Sequence, residues 1–208
     1  MIKMKYKEVN KLAYDGNARG FELRSFDYLR NYILEDANLF VDTLQGPNVI
    51  DIGSGPGRDS VFLAENNLKP LCFDISLEMI KLCRDKGLET VVGDLEMMPF
   101  SESSFDGAWA YTSLLHVPKI IFPSILQGIK RILKPNGLFY LGMKEGDFEG
   151  FISRNITPQC KTQRFYSLYK EDELKDILSE DFDILHNSKV VLGDSTFLNY
   201  LLKGKGFG

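Results

Sequence analysis

The segment Asn48-Val-Ile-Asp-Ile-Gly-Ser-Gly-Pro-Gly-Arg-Asp-Ser60 decides the fold, because an apolar run stops there at three glycines and a helix-compatible stretch begins. Val49, Ile50 and Ile52 are β-formers in a run short enough for a buried parallel strand. Gly53, Gly55 and Gly57 then allow a sharp turn and leave the main chain bare of Cβ atoms, so a small molecule can approach it closely. A helix opening near Arg58 to Ser60 would aim free N–H groups at the same crevice. The spacing is Gly-x-Gly-x-Gly with Asp51 two residues upstream, not the Gly-x-Gly-x-x-Gly of dinucleotide binders. A glycine turn alone also has a purely structural reading, and the flanking chain separates the two.

Downstream, a short helix gives way at Asn66-Asn67, and a second strand, Pro70-Leu-Cys-Phe-Asp74, ends in a carboxylate about 20 positions beyond the glycines, where doubly wound folds hold a ribose. Ser76 can cap a helix with Leu77, Ile80 and Leu82 or Cys83 on its apolar face and Gly87 at its end. A third strand, Thr90-Val-Val92, leads to Gly93-Asp94-Leu95-Glu96, a second carboxylate just past a strand end. Each acidic residue alone could be a loop cap. Three consecutive strand ends carrying glycines, Asp74 and Asp94 place a ligand crevice there. Phe105–Tyr111 reads as strand four, followed by Thr-Ser-Leu-Leu-His116; a helix over Lys119–Leu133 carries Ile121, Ile125, Ile129 and Ile132; Lys134-Pro-Asn-Gly137 turns into strand five, Leu138–Met143. This βα alternation predicts a parallel sheet. After the polar, glycine-rich Lys144–Gly150 come a helix over Glu171–Leu178 and two runs, Phe182–Leu192 and Thr196–Leu202, whose short break at Gly193-Asp-Ser195 predicts a hairpin and an antiparallel last strand. Gly204-Lys-Gly-Phe-Gly208 reads as a loose tail.

Upstream, Phe26, Leu29, Ile33, Leu34, Ala37, Phe40, Val41 and Leu44 recur at helical spacing and predict one amphipathic helix ending before Gly46-Pro47. Tyr6, Tyr14-Asp15 and Phe21 lie in a less regular segment, which either packs on the body or folds over a pocket mouth as a lid. The organisation is thus a helical extension over 1–45 and a single body over 46–208.

The 208 residues are 44% hydrophobic and 26% charged, ordinary for a globular chain, and the net charge of −4 argues against a surface built for nucleic acid. Lys3, Lys5 and Lys7 read as a solvated terminus. The three cysteines, Cys72, Cys83 and Cys160, form no Cys-x-x-Cys pair. They read as small core residues, reduced in a cytoplasmic setting, with no metal site. No apolar stretch reaches membrane-spanning length and no signal-peptide core stands at the start.

With these features on the page, the chain resembles a class I S-adenosylmethionine-dependent methyltransferase, closely over about residues 45–145 and most like the small-molecule enzymes of the ubiquinone/menaquinone type. The resemblance implies an α/β, doubly wound, Rossmann-like seven-stranded sheet, mostly parallel with an antiparallel last strand and helices on both faces. It implies that Asp51, Gly53, Ser54, Gly55 and Gly57 face the methionine part of the cofactor, that Asp74 takes the ribose hydroxyls, and that adenine lies between Ile75 and Leu95 with its amino group near Asp94. Tyr111 would stand beside the sulfonium, where an aromatic face suits a cation, and Tyr14 would close from the lid. S-adenosylhomocysteine would be the product. Lys144, Glu145, Arg164 and Tyr166 follow strand five, where the superfamily lines its acceptor pocket.

Methyl transfer asks little of side chains beyond positioning and exclusion of water. If the acceptor must lose a proton, His116 is the candidate base, since an unperturbed imidazole titrates near working pH; packing within its loop is the other reading. The stretch after strand four reads Ala-Tyr-Thr-Ser, without the Asn-Pro-Pro-Tyr type motif or the paired glutamates of nucleic-acid, glutamine or arginine methyltransferases, which with the acidic balance favours a small-molecule acceptor; a monomer or homodimer is expected. A nicotinamide-dependent oxidoreductase shares the glycine turn and acidic strand end, but not the three-glycine spacing or Gly93-Asp94. A non-catalytic S-adenosylmethionine-binding module remains open to the sequence.

Overall fold

A computed structural model describes residues 2–25, 27–157 and 160–206. Four helices, α1 (Ile2–Asp15), α2 (Ala18–Ser25), α3 (Tyr28–Tyr32) and α4 (Leu34–Thr43), precede the sheet. The alternating part follows as β1 (Asn48–Ile52), α5 (Arg58–Glu65), β2 (Lys69–Asp74), α6 (Leu77–Asp85), β3 (Glu89–Val92), β4 (Phe105–Tyr111), α7 (Phe122–Ile132) and β5 (Leu133–Lys144). A two-stranded hairpin, β6 (Glu149–Thr157) and β7 (Cys160–Ser167), then leads through α8 (Glu171–Asp181) to β8 (Phe182–Leu192) and β9 (Ser195–Gly204).

Seven strands form one sheet in the order β3-β2-β1-β4-β5-β9-β8. The first five are parallel, and β9 runs antiparallel to both β5 and β8. This is the seven-stranded doubly wound sheet with a reversed last strand. The strand order reverses between β1 and β4, which opens a crevice at their carboxyl ends.

Alternation along the central strands builds a core on each face. Ile50, Ile52, Ala108, Ala110, Phe139, Leu141 and Met143 face α7 and α8. Val49, Trp109, Leu138 and Tyr140 face α4 and α5. On α7 the buried residues Phe122, Ile125, Leu126, Ile129 and Ile132 repeat every three or four positions, and Pro123 sits in the first turn, where its missing N–H costs nothing. On the other face the Trp109 and Tyr140 rings stack at 4.0 Å, with Phe40 edge-on to Trp109 at 5.3 Å.

Several elements differ from the sequence expectation. The amphipathic run before β1 is broken at Ile33, whose backbone unwinds to φ −131° and ψ 20°. The break brings Leu29 and Ile33 on one side, and Ala37 and Phe40 on the other, onto the same sheet face, where all four are buried. Phe26 and the side chains of Lys3 and Cys160 lie outside the described residues, as do Phe207 and Gly208 of the expected tail. The segment before it is regular: α1 and α2 are continuous helices separated at Gly16-Asn17. On α6 the buried face is Met79, Ile80, Leu82 and Cys83, while Leu77 is half-exposed. Residues 134–137 form an irregularity inside β5, where pairing to β4 jumps from Phe105–Leu133 to Gly107–Leu138. The β6–β7 hairpin had no counterpart in the sequence reading. Its apolar signal is one cross-strand pair, Phe151 opposite Phe165, set among polar residues.

One buried carboxylate ties the N-terminal helices to the last strands. Asp36 on α4 accepts hydrogen bonds from the Tyr140 hydroxyl at 2.9 Å, the Ser188 hydroxyl at 2.5 Å and the Asn199 amide at 3.2 Å. Replacing it removes the acceptor shared by two buried donors, Tyr140 and Asn199, and by the half-buried Ser188 hydroxyl. Asp36→Ala should lower the unfolding free energy by about 2–4 kcal/mol, and Asp36→Asn, which keeps one acceptor, by less; urea denaturation followed by circular dichroism checks this.

Candidate functional site

A cavity of about 520 Å³ opens at the carboxyl ends of β1 to β4, within the usual range for small-ligand sites. Its floor is the glycine turn. The N–H groups of Gly53 and Ser54 both bond the Phe73 carbonyl at the end of β2, at 2.7 and 3.3 Å. Gly53 (φ +68°) and Gly55 (φ +54°) are left-handed, a conformation glycine adopts without strain. A Cβ on Gly53 would run into Ser113, whereas a Cβ on Gly55 would stand in open space beside the cavity. Gly57 does not line the cavity. It is the left-handed residue in front of α5, packed against Leu88 and Cys83.

Asp74 fixes this floor to its neighbour. One carboxylate oxygen accepts from the Gly55 N–H at 2.9 Å and the other from the Ser76 N–H at 2.8 Å. Burial raises its pKa, and the backbone donors oppose that rise. Ser76 in turn caps α6 by accepting from the Met79 N–H. Ile75 and Leu95 line the cavity on either side, with Asp94 beside them. Asp94 is already engaged: Lys7 on α1 reaches it at 2.5 Å, and the Glu96 N–H bonds its second oxygen.

At the β1 end, Asp51 is buried and accepts from the Ser60 hydroxyl at 2.6 Å; burial, reinforced by neighbouring Asp59, holds its carboxyl well above the usual range. Asp59 is paired with Arg58 and accepts from the Trp109 indole N–H at 3.0 Å. Tyr111 lies at the cavity wall but donates its hydroxyl to Tyr28 at 3.1 Å. The Arg58 guanidinium sits 5.8 Å from the Tyr111 ring and 5.3 Å from that of Tyr28, so one cation already stands against these aromatics.

The roof is α1. Its inward residues, Tyr6, Lys7, Asn10 and Tyr14, recur every three or four positions and line the cavity. Asn10 accepts from the Phe165 N–H at 2.7 Å, and Asp15, past Tyr14, accepts from the Ser76 hydroxyl and the Glu78 N–H at the start of α6. Tyr14 meets His116 hydroxyl to Nε2 at 2.6 Å, and the other imidazole nitrogen, Nδ1, lies 2.6 Å from the Phe165 carbonyl. A carbonyl only accepts, so Nδ1 carries the proton and Nε2 accepts from Tyr14. Arg164 donates to the same Tyr14 oxygen at 3.1 Å. Burial and the Arg164 charge bring His116 down to about 3, and burial pushes Tyr14 up to about 12. The premise for His116 as a base, an unperturbed imidazole free to take a proton, therefore does not hold in this arrangement: it is neutral, and both nitrogens are bonded.

The structure thus brings together Asp51, Gly53, Ser54, Gly55, Asp74, Ile75, Asp94, Leu95, Tyr111, Tyr14, His116, Lys144, Arg164 and Tyr166 around one space. Glu145 is not among them. It stands just past the end of β5, where its backbone forms an isolated bridge with Tyr169. The sequence reading missed Arg24, Tyr28, Arg58, Thr112 and Arg154, which also line the space. Thr112, just past β4, was findable only by its strain: a β-branched residue at φ +57°.

Residues 50–141 match the family described as "Methyltransferase domain". The ubiquinone/menaquinone biosynthesis C-methyltransferase of Rickettsia prowazekii is 32% identical over 132 residues, 53% of this chain and 52% of that protein. An uncharacterized protein of Methanocaldococcus jannaschii is 34% identical over 131 residues, 62% of this chain and 49% of that one. The chain therefore spans about half the length of these curated relatives. Among solved structures, the DhpI complex with S-adenosylhomocysteine matches 97% of this chain and 98% of its own at TM-score 0.78 and 18% identity. The 1,6-didemethyltoxoflavin-N1-methyltransferase of Burkholderia thailandensis matches 93% and 89% at TM-score 0.67 and 22% identity. The fold is the one these two solved structures share, and the stretch that matches the methyltransferase domain family is the part of it that builds the strand-end site.

The buried, neutral imidazole makes stability pH-dependent. A group at about 3 when folded and near 6.5 when unfolded takes up a proton on unfolding throughout that interval, so the unfolding free energy falls as pH drops through it. The slope should reach about 1.4 kcal/mol per pH unit and should be lost in His116→Gln. Asp51 and Asp74, whose raised carboxyls favour the fold most at low pH, act in the opposite sense and are common to both proteins. Urea titrations of both proteins between pH 7 and 4 isolate the histidine.

Proposed function

We propose that the chain transfers a methyl group from S-adenosylmethionine to a small organic acceptor. The observation that carries this reading is the floor of the cavity, a left-handed glycine turn tied through its own N–H to a half-buried carboxylate at the next strand end. Its residues fit such a cofactor: bare backbone at Gly53 to Gly55 for the methionine part, Asp74 with acceptor capacity left on both oxygens for a ribose diol, and Ile75 with Leu95 as apolar walls for adenine. Asp94 would share its carboxylate between the adenine amino group and Lys7.

The cofactor supplies an electrophilic methyl group on a sulfonium. The protein's part is to orient the acceptor in line and keep water out. In this reading α1 and α2 serve as the lid, Tyr28 and Tyr111 offer aromatic faces near the reacting end, and His116 positions Tyr14 rather than removing a proton. The Tyr14 hydroxyl, bonded to both Arg164 and His116, is the polar group they hold over the space.

Calorimetric titration with S-adenosylhomocysteine tests the cofactor assignment. The wild type should bind in the micromolar range. Asp74→Ala should bind about 10–100-fold more weakly, as expected for losing hydrogen bonds to a charged group, with Asp74→Asn between them. A folded wild type that binds a nicotinamide dinucleotide and not S-adenosylhomocysteine would reverse the proposal. For His116, a positioning role predicts that His116→Gln lowers kcat without removing a limb of the pH–rate profile between pH 5 and 8; loss of such a limb would return it to the role of base.

A further inference from the structure

We propose that the wall of the cavity built by α2 and the β6–β7 hairpin binds an anionic group of the acceptor, a carboxylate or phosphate on a small organic molecule, through Arg24, Arg154 and Arg164. The inference rests on the methyltransferase reading only in calling that molecule the acceptor.

Charge is segregated around the cavity. The carboxylates that line it, Asp51, Asp59, Asp74 and Asp94, all lie at the strand-end side. Two cations there are matched to them, Arg58 to Asp59 and Lys7 to Asp94. Arg24, Arg154 and Arg164, with Lys144 at the end of β5, line the opposite wall, and among the described residues none of the four has a carboxylate within ion-pair distance.

These cations converge on one ring. The guanidinium carbons of Arg164 and Arg154 lie 5.2 and 5.5 Å from the centre of Tyr166, and Arg164 is also 5.1 Å from the Phe21 ring. Stacking on aromatic faces fixes a guanidinium plane and leaves its edge donors free, without neutralising the charge. Arg164 is 9% exposed, and its buried Nε has no hydrogen-bond partner.

No group inside the wall supplies the missing negative charge. Burial keeps the Tyr166 phenol above its usual range although three arginines pull the other way, and Tyr14 stands at about 12. His116 is neutral, and burial together with Arg154 draws Lys144 below the usual lysine range. A buried guanidinium with an unused donor, beside like charges and with no internal counter-ion, is complementary to a planar or tetrahedral oxyanion that arginines can grip through two N–H groups.

The test is calorimetric titration of the full chain, with and without saturating S-adenosylhomocysteine, using phenyl phosphate, benzoate and neutral benzamide as probes. Phenyl phosphate, benzoate or both should bind at least tenfold more tightly than benzamide, with affinity falling as salt is raised. Arg154→Gln and Arg24→Gln should each weaken that binding at least fivefold while leaving S-adenosylhomocysteine affinity within twofold. Either anion alone supports the site and tells phosphate from carboxylate. Equal binding of all three probes, no anion binding up to about 10 mM, or anion affinity unchanged in Arg154→Gln overturns it. Arginine-dependent anion binding without S-adenosylhomocysteine binding would sink the methyltransferase reading and leave the anion site standing; the reverse result would sink the anion site alone.

Discussion

The carboxylate of Asp74, half-buried at the end of β2 and gripped by the N–H groups of Gly55 and Ser76, is the constraint on which the site depends. It joins the glycine turn after β1 to the start of α6, two segments that approach one another only because β1 and β2 pair in parallel register. A carboxylate out of water is costly unless its oxygens are satisfied, and two backbone donors satisfy it without bringing in a cation. The strand-order reversal between β1 and β4 then leaves open space directly above it. Gly53 is confined from the other side by Ser113, whose hydroxyl bonds the Ile52 carbonyl at 2.6 Å. The floor is therefore fixed from three strands at once.

The roof is held differently. Lys7 on α1 makes ion pairs with Asp94 and Glu96 that are partly exposed, and such pairs contribute about 0–1 kcal/mol each. The stronger ties are the buried ones, Asn10 to the Phe165 backbone and Tyr14 to His116, and both end on the β6–β7 hairpin or on the turn it covers. Roof and hairpin consequently stand or fall together: a displacement of α1 uncovers Phe165 N–H, a buried donor with a definite cost when unpaired. The floor's own ties, Gly53 and Gly55 to the end of β2 and Ser113 to Ile52, are made without α1, which reaches the floor only through Asp15 on Ser76 and Glu78.

This division explains how much could be read from the sequence. The glycine turn, Asp74 and Asp94 were legible because strand, turn and carboxylate are adjacent in the chain and each has a local cause. The seven strands and the reversed β9 followed from the βα alternation and the Gly193 break. Arg24, Arg154 and Tyr28 were not legible, because they reach the cavity through a hairpin of weak alternation and through helix packing across the sheet. Glu145, one residue past the end of β5, stands outside the cavity lining, whereas Lys144 is part of it. His116 was located correctly, but its chemistry depends on burial and on Arg164, 48 positions further on by number, which no local pattern carries. Leu77 and Met79 exchanged roles because a helix face read from few positions can be off by one step of 100°.

The two walls of the cavity also come from different parts of the chain in a way that bears on specificity. Asp51 through Tyr111 and His116 fall inside residues 50–141, the stretch shared with the methyltransferase domain family. Tyr14, Arg24, Arg154, Arg164 and Tyr166 fall outside it, on α1, α2 and the β6–β7 hairpin. The floor depends on its backbone geometry, whereas the opposite wall is made of side chains on elements outside the shared stretch. That wall is cationic and aromatic. It rests on a hairpin whose own pairing, Phe151 against Phe165, is independent of the main sheet. Its side chains can change without disturbing the strand register that positions Asp74. The charge that distinguishes this cavity is therefore carried by the elements with the fewest obligations to the fold.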